Sequence, residues 1–104
     1  MKTKTIQFAK EFTDCPGGRA RIHGEYSGEE FREDVLEPAL DRYDLVVVDL
    51  NGVFSFPASF VDEAFGVLVH ERGLAAVKRK LTLKLDDNPV ALRSIEDAMA
   101  GHAA

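Results

Sequence analysis

Leu45–Leu50, with the sequence LVVVDL, is the stretch that decides the fold. It is continuously apolar except for Asp49, and its β-branched residues favour an extended strand. An apolar run without polar alternation is typical of a central strand that is covered on both faces, usually by helices on each side of the sheet. The stretch therefore predicts the central strand of a sheet backed by helices.

A helix is predicted after this strand, from Ser59 to about Arg72, and Gly73 suits the position after its last turn. Ser59 is predicted to cap the helix, with Asp62 three residues later completing an arrangement like a capping box. The apolar stripe of this helix consists of Phe60, Val61, Ala64, Phe65, Leu68 and Val69.

An earlier helix is predicted from Ser27, because Ser27-x-x-Glu30 has the pattern of a capping box. Pro38 lacks the amide that would bond the Asp34 carbonyl, so the helix should kink or end there. Its apolar stripe consists of Phe31, Val35, Leu36, Ala39 and Leu40.

Two strands are predicted before that helix. Thr3–Ala9 alternates polar and apolar residues, which predicts the first strand. Cys15–Gly18 has the composition of a turn. Arg19–His23 is predicted to be the second strand, with Ala20 and Ile22 facing inward. Together they predict an opening β-hairpin.

The last third of the chain predicts one more strand and one more helix. Leu74–Arg79 is predicted to form a short helical turn. Leu81–Leu85 alternates apolar and polar residues, which predicts a strand with one solvent-exposed face. Asp87 or Asn88 caps a final helix that runs to about Ala100. Its candidate inward residues are Val90, Leu92, Ile95 and Met99. The order β-β-α-β-α-β-α predicts an α/β fold with a mixed central sheet backed by helices.

The bulk properties narrow the class of protein. The 104 residues are predicted to form one domain, residues 1–104. The single cysteine excludes an internal disulfide, and no apolar run has the length of a signal peptide or a membrane span, so a cytoplasmic protein without membrane contact is expected. The net charge of −5 opposes nucleic-acid binding, and the basic cluster Lys78–Lys80 is interpreted as a solvated turn.

The segment from Asp49 to Ser59 is the candidate functional site, because ligands of open α/β sheets bind beyond the carboxyl ends of the strands. A phosphate on Ser59 would be tolerated at a helix start and would change the charge of the surface. Ser55 is a second hydroxyl candidate for modification. Asp49 is either a strand-end carboxylate that bonds loop amides or part of a pocket.

No catalytic set is found in the sequence. His23, His70 and His102 are widely separated, no Cys, His and Asp cluster has the spacing of a metal site, and Cys15 has no activating base beside it. The sequence therefore predicts that the protein is not an enzyme and needs no cofactor or metal.

Several strings nevertheless resemble one family, the small bacterial STAS-like domains of unknown function. The resemblance extends from about Phe12 to Asp97. The strings that carry it are Pro16–Arg19, Tyr26–Arg32, Leu36–Leu40, Val46–Val53 and Ser59–Gly66.

The resemblance implies a non-catalytic signalling module that works through a protein partner, such as a kinase-like or regulatory protein. In the related anti-sigma factor antagonists, a kinase phosphorylates a serine at the start of the helix after the central strand. Ser59 matches that serine or its neighbour, although Ala58 stands where the family has a second serine. The implied contact surface comprises Asp49, Ser55, Ser59 and Asp62; the alternative is a sensor of a small anionic ligand or nucleotide. The sequence identifies neither the partner nor the oligomeric state.

Overall fold

The computed structural model describes residues 1–103, which build a three-stranded sheet with helices. The strands are β1 (Thr3–Gln7), β2 (Leu45–Asp49) and β3 (Leu81–Lys84). β2 lies in the middle and runs parallel to both neighbours. The α/β class and the central position of the LVVVDL strand are thus confirmed, whereas the predicted mixed sheet is wrong because every pairing is parallel.

Two helices precede β2. The first, α1, is the single turn Phe8–Glu11. The second, α2, is a continuous helix of three segments. These are Gly28–Phe31, a π-helical turn Arg32–Leu36, and Glu37–Arg42.

Three helices follow β2 in the part of the chain that the structure describes. The first of them, α3, again contains a π-helical turn, and its segments are Ala58–Val61, Asp62–Gly66 and Val67–Arg72. The other two are α4 (Leu74–Lys80) and α5 (Pro89–Gly101). None of the helices in residues 1–103 combines the length and the apolarity that a membrane span requires.

The helices cover one face of the sheet. The strands lie in chain order, and the near-universal right-handed crossover between parallel strands then places α2 and α3 on the same side. Burial along β2 agrees, since Val46 and Val48 are fully buried while Leu45 and Val47 are partly exposed. The prediction that both faces of β2 are covered is therefore wrong.

Four phenylalanines form the centre of the core between the sheet and the helices. The Phe8 ring contacts the Phe31 ring edge-on with centroids 4.8 Å apart, and the Phe60 ring at 5.8 Å. Phe65 extends the cluster from Phe31 with a centroid distance of 6.1 Å. All four side chains are fully buried, so they hold the start of α2 and of α3 against the end of β1.

The predicted strand Arg19–His23 does not form. A 3₁₀ turn occupies Arg21–His23, and Ile22, predicted to face inward, is 90% exposed. The backbone at the start of this segment bonds the beginning of α2, because the Glu29 amide donates to the Arg19 carbonyl at 3.0 Å and the Gly28 amide donates to the preceding carbonyl, that of Gly18, at 2.9 Å. The segment therefore satisfies a helix start and is unavailable to the sheet.

The capping box of α2 is confirmed in part. The Ser27 hydroxyl accepts a hydrogen bond from the Glu30 amide at 3.0 Å, as predicted. The Glu30 carboxylate reaches back one residue further, to the Tyr26 amide at 3.1 Å. Both bonds satisfy amides at the entry of the helix, which fixes where α2 begins.

Pro38 does not end α2, which continues to Arg42. The π-helical turn lies immediately before the proline, and the Glu37 amide bonds the Arg32 carbonyl five residues back. Since Pro38 has no amide to donate to Asp34, the chain leaves the regular α-helical register here without stopping.

The start of α5 is confirmed. The Asn88 side chain accepts a hydrogen bond from the Ala91 amide at 3.1 Å, and Pro89 occupies the first turn. Ile95 and Met99 are buried as predicted, whereas Val90 is 77% exposed and does not face the core.

Candidate functional site

The carboxyl ends of all three strands meet at one edge of the parallel sheet, at Gln7, Asp49 and Lys84. β1 continues directly into α1 at this edge, whereas the other two strands lead into loops, the β2–α3 loop (residues 50–57) and the β3–α5 loop (residues 85–88). In open α/β sheets ligands usually bind at this edge, at the point where the strand order reverses. Because the three strands lie in chain order, the sheet has no such point, and the two loops are the candidate site because exposed loops commonly carry binding residues.

Asp49 has a structural role at the base of the β2–α3 loop. Its Oδ1 accepts hydrogen bonds from the backbone amide of Asn51 at 3.0 Å and from the side-chain Nδ2 at 2.9 Å. These bonds agree with the interpretation of Asp49 as a strand-end carboxylate bonded to the loop. Asp49 also lines a shallow pocket of about 310 Å³ together with Gln7 and Lys10, which agrees with the alternative interpretation of a pocket residue.

The β2–α3 loop is held at its base from two directions. The Gly52 amide donates to Asp87 Oδ2 at 3.1 Å, and the Asp87 amide donates to Asn51 Oδ1 at 3.0 Å. The Phe54 amide donates to the Asp14 carbonyl at 3.2 Å. Gly52 has φ of 84°, a conformation that glycine adopts without strain. The turn is thereby fixed to the β3–α5 loop and to the segment after α1.

A half-open cleft, here called the apolar cleft, lies between the β2–α3 loop and α5. It has a volume of about 390 Å³ and is lined by eleven residues, none of which is charged. Phe54 on its rim is 92% exposed. The lining includes Phe54, Ser55, Phe56, Val61, Val90 and Ile95.

The two candidate serines lie in different surroundings. Ser55 is exposed and lines the apolar cleft. Ser59 is partly exposed in the first turn of α3 and is not its cap. Pro57 occupies the cap position, and its carbonyl accepts the Val61 amide at 3.1 Å. The predicted capping role of Ser59 is therefore wrong, because the helix begins at Ala58 and Ser59 already lies within it.

Asp62 is engaged by two partners from distant parts of the chain. Its Oδ2 bonds Arg19 Nη1 at 2.6 Å, and its Oδ1 lies 2.5 Å from His102 Nε2. The hydrogen bond from His102, followed by that from Arg19, lowers the pKa of the Asp62 carboxyl below its usual value. Gly66 makes room for the histidine, since a Cβ there would lie 2.5 Å from the His102 ring. Asp62 thus ties α3 to the end of the described chain.

The four predicted site residues consequently do not form one constellation. Ser55 lines the apolar cleft, Asp49 lies at the loop base, Ser59 lies in the first turn of α3, and Asp62 bonds Arg19 and His102. Residues 1–103 contain no group of three or more His, Cys, Asp or Glu side chains placed to hold a metal ion.

A buried ion cluster between α2 and α3 was not predicted. The Arg32 side chain is 8% exposed, and its guanidinium bonds Glu63 Oε2 at 2.8 Å and Glu37 Oε2 at 2.9 Å. Arg72 continues the cluster through Glu37 Oε1 at 3.3 Å. Arg32 and Glu37 are five residues apart, a spacing that fits the π-helical turn and not a regular α-helix, so the sequence pattern gave no signal of this pair.

The exposed side chain of Phe54 was also not singled out from the sequence. The signal available in the sequence was an aromatic residue inside a short loop between Gly52 and Pro57, where exposure is the rule. Whether such a side chain folds back onto the core depends on the loop conformation. Phe56, two residues later, does fold back and lies 6.1 Å from the Phe8 ring.

The fold and this edge define a class of protein: a small α/β domain with a parallel sheet, helices, and an apolar cleft where the strands end. A family model described as a STAS-like domain of unknown function (DUF4325) matches residues 27–91, from the cap of α2 to the first turn of α5. The match covers more than half of the chain, and the chain belongs to this family. The resemblance deduced from the sequence is thereby confirmed. Comparisons with curated proteins and with solved structures gave no match.

Proposed function

We propose that this chain is a non-catalytic signalling module that binds a protein partner through the carboxyl edge of its sheet, with Phe54 at the centre of the contact. The observation that carries the proposal is the 92% exposure of Phe54 on a loop that hydrogen bonds hold at its base. Aromatic residues on well-defined loops are typical anchors of protein interfaces.

The energetics of Phe54 support a contact role. Burying a phenylalanine side chain stabilises a complex by about 1.5–3 kcal/mol relative to leaving it in water. Because the backbone amides of Gly52 and Phe54 are already bonded to Asp87 and Asp14, the loop backbone has less conformational freedom to lose on binding. The main entropic cost of the contact is then the ordering of the Phe54 side chain itself.

Ser55 is the residue at which we propose a phosphorylation switch. Its exposed hydroxyl neighbours Phe54 in the chain and lines the apolar cleft. A kinase-like partner would transfer the γ-phosphoryl group of ATP to Oγ, with release of the hydroxyl proton and ADP. The product adds a charge of about −1.5 to −2. Since no cation lines the cleft, this charge would oppose an apolar contact at Phe54.

Ser59 is the second switch position that the family resemblance implies. It lies in the first turn of α3 and is partly exposed, and a phosphate there would be near the positive end of the helix dipole. Modification of Ser59 should be tolerated by the fold, with a smaller effect on the Phe54 contact than modification of Ser55. The anion-sensor alternative stays a prediction, and the uncharged lining of the apolar cleft lends it no support.

The contact is tested by affinity capture from the native lysate with the wild-type chain, Phe54→Ser and Ile22→Ser. Ile22 is the matched control, because it is 90% exposed on the 3₁₀ turn and outside the site. A partner that is retained by wild type and Ile22→Ser but lost by Phe54→Ser supports the proposal. Equal retention by all three proteins contradicts it.

The switch is tested on the captured partner. Ser55→Asp should weaken binding, Ser55→Ala should leave binding intact, and Ser59→Asp should have the smaller effect. Intact-mass and phosphosite mapping of the protein from its own cells then shows whether either serine carries phosphate. Unchanged binding by Ser55→Asp rules out a switch at that residue.

A further inference from the structure

We propose that the apolar cleft is a binding site for a small, uncharged, mainly apolar molecule. The cleft shares its Phe54 rim with the proposed protein contact, but the inference needs no protein partner and is tested without one. Three properties of the cleft carry it: its size and walls, its lining, and its fixed shape.

The cleft has the dimensions of a ligand site. Its volume of about 390 Å³ lies within the range of about 300–1,000 Å³ that is usual for small-molecule pockets. Its floor is formed by core residues, since Val61 of α3 and Ile95 of α5 line it and are buried. It is half open, and Phe54 and Val90 stand exposed beside the opening.

The uncharged lining of the apolar cleft favours an uncharged ligand. Charged residues make up 30% of the chain, yet none of the eleven lining residues is charged. An ionised ligand would lose hydration in the cleft without meeting a counter-charge, which is unfavourable. The exposed hydroxyls of Ser55 and Ser94 can donate to or accept from one polar group at the mouth. The chemical class is therefore an apolar body with at most one uncharged polar group, such as an alcohol or an amide.

The two walls are fixed before any ligand binds. The loop wall is held by the bond from Gly52 to Asp87 and by the bond from Phe54 to Asp14. The helix wall begins at Asn88, whose side chain caps α5 at the edge of the cleft. A ligand can therefore enter a preformed site, and its binding does not have to order a loop.

The test is a fluorescence titration of the full chain with N-phenylnaphthylamine, an uncharged probe whose emission rises in apolar surroundings. Ala98→Phe places a ring into the cleft from α5, and Ala75→Phe makes the same change at an exposed position on α4. We expect saturable binding by wild type and Ala75→Phe, and binding at least about tenfold weaker by Ala98→Phe. Circular dichroism confirms that both variants are folded. Absence of saturable binding by wild type, or equal binding by a folded Ala98→Phe, overturns the inference.

A second measurement on the wild-type chain avoids dependence on any variant. Octanol, octanoate and octylammonium share an alkyl chain and differ in the charge of the head group. At physiological ionic strength octanol should displace the probe at the lowest concentration, and both ions should require more. Displacement by octanoate or octylammonium at the same or a lower concentration contradicts an uncharged site. The capture experiment with Phe54→Ser can succeed or fail independently of this result.

Discussion

The contact between α2 and α3 and the apolar cleft use their side chains in opposite ways. Between the helices, Arg32 is 8% exposed, and its guanidinium bonds both Glu37 and Glu63. Gly28 brings the two helix backbones together, since a Cβ there would lie 2.6 Å from the Phe60 carbonyl oxygen. At the cleft, no lining residue is charged, and Phe54 remains 92% exposed.

The difference separates residues that stabilise the fold from residues available for binding. The side chains between α2 and α3 bind one another within the folded chain, so replacing one of them should lower the free energy of unfolding. Phe54 has most of its surface in water, so its removal should leave that free energy nearly unchanged.

The largest loss of stability is expected from Arg32→Ala. The substitution removes the cation that Glu37 and Glu63 share, and breaking a fully buried ion pair on one side costs about 3–5 kcal/mol. Because both carboxylates are partly exposed and Glu37 keeps its pair with Arg72, we expect a loss at the lower end of that range. The free energy of unfolding, measured by urea denaturation, should fall by an amount of this order. An unaltered midpoint would show that the buried cluster is not needed for stability.

Arg21→Ala is the control for that measurement. Arg21 also pairs with two carboxylates, those of Glu33 and Asp34, at 3.2 and 2.8 Å. All three side chains are well exposed, and exposed ion pairs contribute little because water solvates the separated charges. The urea midpoint of Arg21→Ala should therefore stay close to that of wild type.

The next largest effect is expected from Gly28→Ala. The new Cβ would lie 2.6 Å from the Phe60 carbonyl and 3.0 Å from Glu63 Cβ, so the helices must move apart. Such overpacking lowers stability by about 1–3 kcal/mol. Thermal or urea unfolding measures the loss.

Gly101→Ala makes the same change where there is space. No atom lies within 4 Å of a Cβ at Gly101, which is exposed in the last turn of α5. Stability should be unchanged or raised by up to about 1 kcal/mol, because alanine favours the helix. Equal losses in both variants would argue against a close α2–α3 contact.

The sequence predicted those parts of the fold that depend on neighbouring residues. The LVVVDL run located β2, and the caps at Ser27 and Asn88 were found because each hydroxyl or amide oxygen bonds an amide three residues later. The strand Arg19–His23 was wrong because its backbone partners belong to α2, and alternation alone does not reveal them. The predicted cap at Ser59 was wrong because Pro57 occupies the cap position of α3.

The position of the candidate site at the end of β2 could be predicted from the sequence, but the residues that lie together there could not. The loop after β2 was identified from the rule for open α/β sheets; Ser55 lies in this loop, and Asp49 is the last residue of β2 and bonds its first turn. The partners of Asp62 lie 43 and 40 residues away along the chain, at distances that only the tertiary fold determines. The apolar cleft likewise joins a loop and α5, which are far apart in sequence.

A smaller, pH-dependent effect is expected from Asp62→Asn. The hydrogen bonds from His102 and Arg19 lower the pKa of the Asp62 carboxyl in the folded state. The contribution of the Asp62 carboxylate to the free energy of unfolding is therefore complete above the unfolded-state pKa of about 3.9. This contribution is lost as the pH falls through the lower pKa of the folded state. Because the pair is partly exposed, we expect a contribution below about 1 kcal/mol.

Urea denaturation of wild type and Asp62→Asn between about pH 6 and pH 2 measures this contribution. The wild type should be the more stable protein at the upper end of the range. The two curves should converge in acid, where Asp62 is protonated and resembles the amide. A difference that does not change with pH would show that the carboxylate charge has no stabilising role.

The smallest expected effect on stability belongs to Phe54→Ser. The phenylalanine side chain is 92% exposed, so folding removes little of its surface from water. The free energy of unfolding should change by less than about 0.5 kcal/mol, as for other surface substitutions. Phe56→Ser is the matched change two residues later, where the ring lies 6.1 Å from Phe8 and joins the core. It should lower stability clearly, because its packing is lost. If Phe54→Ser lost as much stability as Phe56→Ser, Phe54 would belong to the folded core and could not serve as an exposed anchor for a partner.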